Sequence, residues 1–208
     1  MLGHPVAHSL SPRMQNAAFA AAGLDWEYVL RDVLPEELEA VVREVEHANV
    51  TAPYKREAAR ILGGGLPSVN TIVGGRGYST DAAVLEQVTD CYKPAIVGDG
   101  GAAVAFREAL PGARVFSRRG EWPPDVREAE LVIHATPVRD EVLFELAPGQ
   151  TLVDLPYPRT ATAGAAAAAG ARVLDGLEVL AAQGAASFEL WTGLEAPVAA
   201  MRCALGLT

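Results

Sequence analysis

The sequence predicts an α/β protein built in two parts, and three observations carry that expectation. Short β-prone runs alternate with helical stretches along the whole chain, the pattern of a sheet covered by helices. Half of the 208 residues are hydrophobic but only 6% are aromatic, so alanine and glycine supply much of the apolar fraction. That composition suits helices packed closely on a sheet. The pattern also restarts near "TDCYKPAIVGDGG", residues 89–101, with a short buried strand, a glycine turn and an alanine-rich helix. The length admits one generous domain or two small ones, and the restart favours two.

Taken in chain order, "SPRMQNAAFAAAG" reads as a helix, with Ser11 as N-cap, Pro12 in the first turn and Gly23 just past the end. "WEYVLRDV" follows as a strand. "PEELEAVVREVE" is a second helix with Leu38, Val41, Val42 and Val45 on one face. "ANVTAP" is a strand that runs into a proline turn, because Pro53 can neither extend a helix nor donate into a central ladder. A short helix from Lys55 to Leu62 comes next. "GGGLPSVNTIVGGRGYSTD" gives a turn and two strand edges, leading to a helix that starts at Asp81. Beyond the break, "ARVFSRR", "ELVIHATP" and "QTLVDLPY" are strands. "ATAGAAAAAGA" is a packed helix rather than a linker, and the tail from "VLAAQGAASFELWTG" is helical again.

Net charge is -9. An acidic chain opposes non-specific binding to nucleic acid or anionic membranes, which calls for a basic patch. No apolar run approaches membrane-spanning length, and "MLGHPVAHSLSP" lacks a basic region followed by an apolar one. Cys91 and Cys203 are far apart, without metal-like spacing, and nothing demands a disulfide. A cytoplasmic protein is the expectation. His4, His8, His47 and His134 show no ligand spacing and read as structural or exposed, so no metal is expected. Trp191 and Phe188, three apart, read as helix packing.

Several local patterns carry chemistry, each with a plainer alternative. Gly98-x-Gly100-x-x-Ala103 lies after a strand and opens a helix, so backbone amides there can approach a pyrophosphate at a helix N-terminus. The plainer reading is a tight turn, and Asp99 opposes a phosphate unless it points away. Arg118 and Arg119 end the next strand, where such folds choose between a ribose hydroxyl and a 2′-phosphate. Guanidinium groups favour the phosphate, although two arginines in a loop are commonplace. Lys55 is an ammonium at the mouth of the proline turn, and Asp81 beside it would fix its orientation. Alone, Lys55 reads as a surface charge and Asp81 as a helix cap. Ser9 and Ser11 offer two hydroxyl donors that could hold a carboxylate.

In sequence order, "GHPVAHSLSP", "NVTAPYK", "SVNT", "GYSTD", "GDGGAA", "HATP", "DLPYPRT" and "LAAQGAASFELWTG" resemble the shikimate dehydrogenase family from one end of the chain to the other. The resemblance implies an N-terminal α/β substrate-binding and catalytic domain over residues 1–82, with 183–208 returning to it. It implies a reduced Rossmann-like, NADP-binding domain over 83–182. The implied reaction is reversible NADPH-dependent reduction of 3-dehydroshikimate to shikimate, on the route to aromatic amino acids, by a monomer or homodimer.

Carried over residue by residue, Lys55 supplies the proton with Asp81 as its partner. Ser9 and Ser11 hold the substrate carboxylate, and Thr51, Asn70 and Gln183 bind ring hydroxyls with Tyr157 close by. Gly98, Gly100, Gly101, Ala102, Ser117, Arg118, Arg119 and Thr136 bind the cofactor. Departures gather on the cofactor side. The family usually has a small residue at Asp99, reads Asn-Arg-Thr where this chain reads "SRR", and has glycine and methionine after "HATPV". It also usually has asparagine at Ser79, and most of its opening strand is missing here. Only "GEWPPDVREAE" separates the arginine motif from "LVIHATP", enough for one short crossover, so one strand-helix unit is expected to be absent. Two alternatives follow: a shikimate-binding relative that transfers little or no hydride, and an NAD-dependent quinate or shikimate dehydrogenase.

Overall fold

The computed structural model describes residues 1–88 and 93–207. Cys91 lies outside the described residues, as does the start of the composition break, while Cys203 is an exposed free thiol. The chain divides into two compact units, Met1–Ala83 with Leu180–Thr208, and Val84–Val179. Among the described residues no helix is long and apolar enough to cross a membrane.

In the first unit, β1 (Leu2–Gly3) pairs in parallel with β2 (Arg31–Asp32), and β3 (His47–Asn49), β4 (Thr71–Val73) and β5 (Arg76–Tyr78) form an antiparallel sheet. Helices α1 (Ser11–Ala21), α2 (Leu38–Glu44) and α3 (Lys55–Leu62) alternate with these strands. Leu38, Val41 and Val42 turn the apolar stripe of α2 into a core with Leu2, Val50, Ala58, Ile61 and Ile72. Of "WEYVLRDV" only Arg31 and Asp32 enter a ladder, because β1 offers just two residues to pair with.

Ser11 is not the N-cap: Leu10 holds that position and α1 begins at Ser11. The Ser9 hydroxyl takes the first-turn role instead, accepting from the Ser11 N–H at 3.2 Å. Asp81 does not cap a long helix either. A 3-10 turn, Ala83–Gln87, follows it, because its carboxylate is engaged elsewhere.

A buried polar knot ties α6 (Gly176–Thr192) to the antiparallel sheet. The Asn49 carboxamide accepts from the Tyr28 hydroxyl at 2.7 Å, and the two protons of its NH₂ are shared among Asn70 O, Thr71 Oγ1 and Ser187 Oγ, each 3.0–3.1 Å away. These contacts satisfy a withdrawn amide, which otherwise costs free energy to bury. Phe188 is fully buried one residue further along α6, and the Trp191 indole donates to Ile72 O at 3.0 Å. Helix α7 (Val198–Leu205) packs on α1.

The second unit is a five-stranded parallel sheet in the order β10-β9-β8-β6-β7. Its strands are β6 (Pro94–Val97), β7 (Arg114–Phe116), β8 (Leu131–His134), β9 (Thr151–Asp154) and β10 (Arg172–Leu174). Every residue of β8 and β9 is buried, as strands covered on both faces require. Helix α4 (Gly101–Ala109) follows β6, and α5 (Ala161–Ala168) follows β9, its first turn capped by the Thr160 hydroxyl. The segment 117–130 crosses from β7 to β8 without a helix. Strand β10 is an addition to the sequence reading, its signal being the short run "RVL" after Gly170.

At the C-terminal end of β6 the backbone turns sharply. Gly98 has φ +133°, and a Cβ there would lie 2.5 Å from the Ala135 carbonyl oxygen. Gly98→Ala therefore combines left-handed strain with a backbone clash and should destabilise the protein by about 2 kcal/mol or more, read as a lowered urea midpoint. Asn49→Ala removes the hydrogen bonds of this buried carboxamide and should cost about 1–3 kcal/mol. Thermal denaturation checks it, and an unchanged melting temperature would show the knot to be dispensable.

Candidate active site

Lys55 is the first residue of α3, placed there by the turn through Pro53 and Tyr54. The Tyr54 hydroxyl donates to Val33 O at 2.7 Å, anchoring the turn to the core. Burial first, then Asp32, Glu36 and Glu37, pushes the Tyr54 phenol up from its usual range, so it stays a donor. Thus fixed, Lys55 sends its Nζ to both oxygens of Asp81, 2.6 Å from each. The two side chains are only 15% and 9% exposed, which sets them apart from the solvent-facing ion pairs elsewhere on the chain.

Asp81 is placed in turn by its neighbours. The Thr80 N–H donates to Asn70 Oδ1 at 2.7 Å. Asn70 Nδ2 lies within reach of Thr80 Oγ1 at 2.8 Å, Asp81 Oδ1 at 3.1 Å and Gln183 Oε1 at 3.4 Å. The Gln183 carbonyl accepts from the hydroxyls of Thr80 at 3.1 Å and Ser187 at 2.9 Å. One hydrogen-bonded cluster therefore holds an ammonium, a carboxylate and two carboxamides. Such a set can donate a proton from a fixed position and exchange hydrogen bonds with hydroxyl and carbonyl oxygens.

Ser9 and Ser11 form a second, smaller pair, with their hydroxyls 3.2 Å apart. Thr51 is half-buried at the start of the Lys55 turn, its N–H bonded to Leu2 O at 2.9 Å. Tyr157 belongs to the other unit, where its carbonyl accepts from Arg139 at 3.3 Å. Sequence reasoning missed Thr80 and Ser187. The signal for Ser187 was present, since it lies four residues after Gln183 on the same helix face.

The second unit carries the candidate cofactor residues at the C-terminal ends of its strands. Gly100 caps α4 in extended conformation with no side-chain cap, and a Cβ there would meet nothing within 4 Å. Backbone N–H groups of the first turn, at Gly101 and Ala102, lie at a helix N-terminus, whose dipole favours a phosphate. After β7, the Arg118 guanidinium lies 5.7 Å from the centre of the Trp122 ring, and Ser117 bonds through its backbone to Glu121 and Gly120. Arg119 pairs with Asp99 at 3.5 Å, which gives that acid a cationic partner beside the glycine turn. Thr136 follows β8, its hydroxyl 2.7 Å from His134 Nε2. These residues fit a phosphorylated dinucleotide: a glycine cradle, a helix N-terminus and arginines after the adjacent strand. No group of three or more potential metal ligands occurs among the described residues.

Comparison with known proteins gives the chain's family. A family model described as the shikimate dehydrogenase substrate binding domain matches residues 1–71, and one described as the shikimate 5'-dehydrogenase C-terminal domain matches residues 176–205. The NADP(+) shikimate dehydrogenase of Halobacterium salinarum is 34% identical over 260 aligned positions, covering 99% of this chain and 97% of the relative. That of Moorella thermoacetica is 36% identical, covering 97% and 90%. Among solved structures, the Thermus thermophilus shikimate 5-dehydrogenase in complex with NADP(H) and shikimate superposes with a TM-score of 0.83. It is 32% identical, with 98% of this chain and 96% of that one covered. The Aquifex aeolicus shikimate dehydrogenase gives 0.86 at 29% identity, covering 98% and 95%. Identity at this level across nearly the whole of each chain shows that this chain belongs to the shikimate dehydrogenase family.

Proposed function

We propose that the protein catalyses the reversible, NADPH-dependent reduction of 3-dehydroshikimate to shikimate. The observation that carries the reading is the buried Lys55–Asp81 bridge, with Asn70 and Gln183 hydrogen-bonded around it. A bound NADPH would provide the hydride that the carbonyl carbon receives. Lys55 Nζ gives a proton to the carbonyl oxygen, so the C=O bond becomes a secondary alcohol. Asp81 holds the ammonium in one orientation and balances its charge before and during the transfer. Asn70 and Gln183, with Thr51, take the ring hydroxyls, and Tyr157 is a further substrate contact implied by the family resemblance. Ser9 and Ser11 donate to the substrate carboxylate. Neutral hydroxyl donors suit an anionic substrate on a chain of net charge -9, where attraction must be local. Holding donor and acceptor in place removes much of the entropic barrier.

On the cofactor side, Gly98, Gly100, Gly101 and Ala102 would hold the pyrophosphate at the α4 N-terminus, and Ser117, Arg118 and Arg119 would hold the 2′-phosphate. Thr136 contacts the nicotinamide end. The first unit is the substrate domain and the second the nucleotide domain, with the enzyme working in the cytoplasm as a monomer or homodimer. A binding-only relative is not favoured, because the matched relatives are named as NADP(+) dehydrogenases.

Absorbance at the reduced-nicotinamide band, with shikimate and either NADP or NAD, tests the activity: turnover is expected with NADP and is much weaker with NAD. Silence with both, alongside calorimetric binding of shikimate, overturns the reading. Lys55→Ala should lower kcat by about 10²- to 10⁴-fold while shikimate KM moves only a few-fold, and unchanged turnover would remove Lys55 from the mechanism. Arg118→Ala should raise KM for NADP about ten- to a hundred-fold, as expected for a lost charge-assisted hydrogen bond, and leave KM for NAD nearly unchanged.

A further inference from the structure

Strand β8 ends on a side chain that the mechanism above does not use. His134 is fully buried, and both of its ring nitrogens are engaged. Nδ1 lies 2.6 Å from Asp154 Oδ1, and Nε2 lies 2.7 Å from the Thr136 hydroxyl. Asp154 is equally buried at the end of β9, directly opposite His134 in the ladder. Its other oxygen accepts from the Thr160 hydroxyl at 2.9 Å and the Thr160 N–H at 3.4 Å. Phe144 packs edge-on to the imidazole, 5.9 Å between ring centres. A chain of hydrogen bonds thus runs from the α5 cap through Asp154 and His134 to the half-buried Thr136 hydroxyl.

The direction of that chain follows from its first member. A carboxylate only accepts, and the three donors around Asp154 satisfy it as an anion. Nδ1 of His134 must therefore carry a proton. In a neutral imidazole the other nitrogen is then bare and accepts the Thr136 O–H. The single Thr136 proton is committed inwards, so the hydroxyl presents lone pairs outwards. One accepts the Val138 N–H at 3.3 Å, and the next suits an N–H donor on a ligand.

The sheet order says which part of a dinucleotide reaches this point. Strands run β8-β6-β7, with the glycine turn after the central β6 and Arg118 after β7. A molecule with its 2′-phosphate over β7 and its pyrophosphate over β6 places its far end over β8. The Ala135 carbonyl lies against the glycine turn itself. We propose that Asp154 and His134 are positioning residues that hold Thr136 as a hydrogen-bond acceptor for the carboxamide NH₂ of the nicotinamide. This relay makes the enzyme selective for a carboxamide over a ring substituent that only accepts. The proposal rests on the reading of Thr136 as a cofactor contact.

Two measurements test it. In histidine-¹⁵N-labelled protein, the imidazole spectrum of His134 should show a protonated Nδ1 and a bare Nε2. An Nε2–H tautomer or a doubly protonated ring overturns the proposal, and this readout needs no variant. In kinetics, NADP is compared with its 3-acetylpyridine analogue, whose acetyl group has no N–H. Asp154→Asn offers an amide N–H to Nδ1, moves the imidazole proton to Nε2 and frees the Thr136 proton to point outwards. The preference for NADP over the analogue in kcat/KM should fall about ten-fold, with shikimate KM unchanged. An equal loss with both cofactors, or an unchanged ratio, overturns the relay as a specificity device. Thr136→Val separates the two readings. Unchanged kinetics with both cofactors removes Thr136 as a contact and defeats the premise. A lost preference in Thr136→Val but not in Asp154→Asn keeps the contact and overturns the relay alone.

Discussion

The bridge between Lys55 and Asp81 joins residues 26 positions apart, and the first unit is organised to hold it. Withdrawing an ammonium and a carboxylate from water is costly unless their geometry is good and the remaining lone pairs find donors. Both conditions are met here. Lys55 reaches both carboxylate oxygens, and Asn70 supplies a further donor to Asp81. The strand pair β4–β5 carries Asn70 and Thr80 at its ends, while the Tyr54 anchor fixes the lysine turn from the other side. The Asn49 knot then ties α6 to the same sheet, so Gln183 reaches Asn70 from a helix more than a hundred residues later in the chain. Specific polar packing, more than apolar burial, sets the site.

The second unit solves a different problem with less chain. Its relatives align over 260 positions, well beyond the 208 residues present here. The crossover after β7 reaches β8 without a helix. Three adjacent parallel strands carry a glycine turn, an arginine and a threonine at their C-terminal ends. Strand β6 comes first in sequence but lies between β7 and β8, so successive connections leave it in opposite directions. That is the switch point at which open α/β sheets place their ligands.

Much of this was legible in the residues. Hydrophobic period and proline placement marked α3 from Lys55 to Leu62, and glycine spacing marked the turn before α4. Ordered motifs named Lys55, Asp81, Asn70 and Gln183, and the fold brings all four together. Local rules misled where a long-range partner overrode them. Asp81 looked like a helix cap, but Lys55 claims its carboxylate; Ser11 looked like a cap, but Leu10 holds that position and the Ser9 hydroxyl accepts the Ser11 N–H. His134 looked merely structural, since no sequence rule pairs it with an aspartate 20 residues away.

The class of fold, the order of the motifs and the chemical types at the site were all written in the linear chain. These depend on period, turn chemistry and spacing, which are local. Which polar atoms meet was settled only by folding: the two-pronged lysine bridge, the Asn49 knot and the Asp154–His134–Thr136 chain. Each needs strand register and helix packing to bring distant residues within about 3 Å, the reach of a hydrogen bond, and no local pattern encodes that distance.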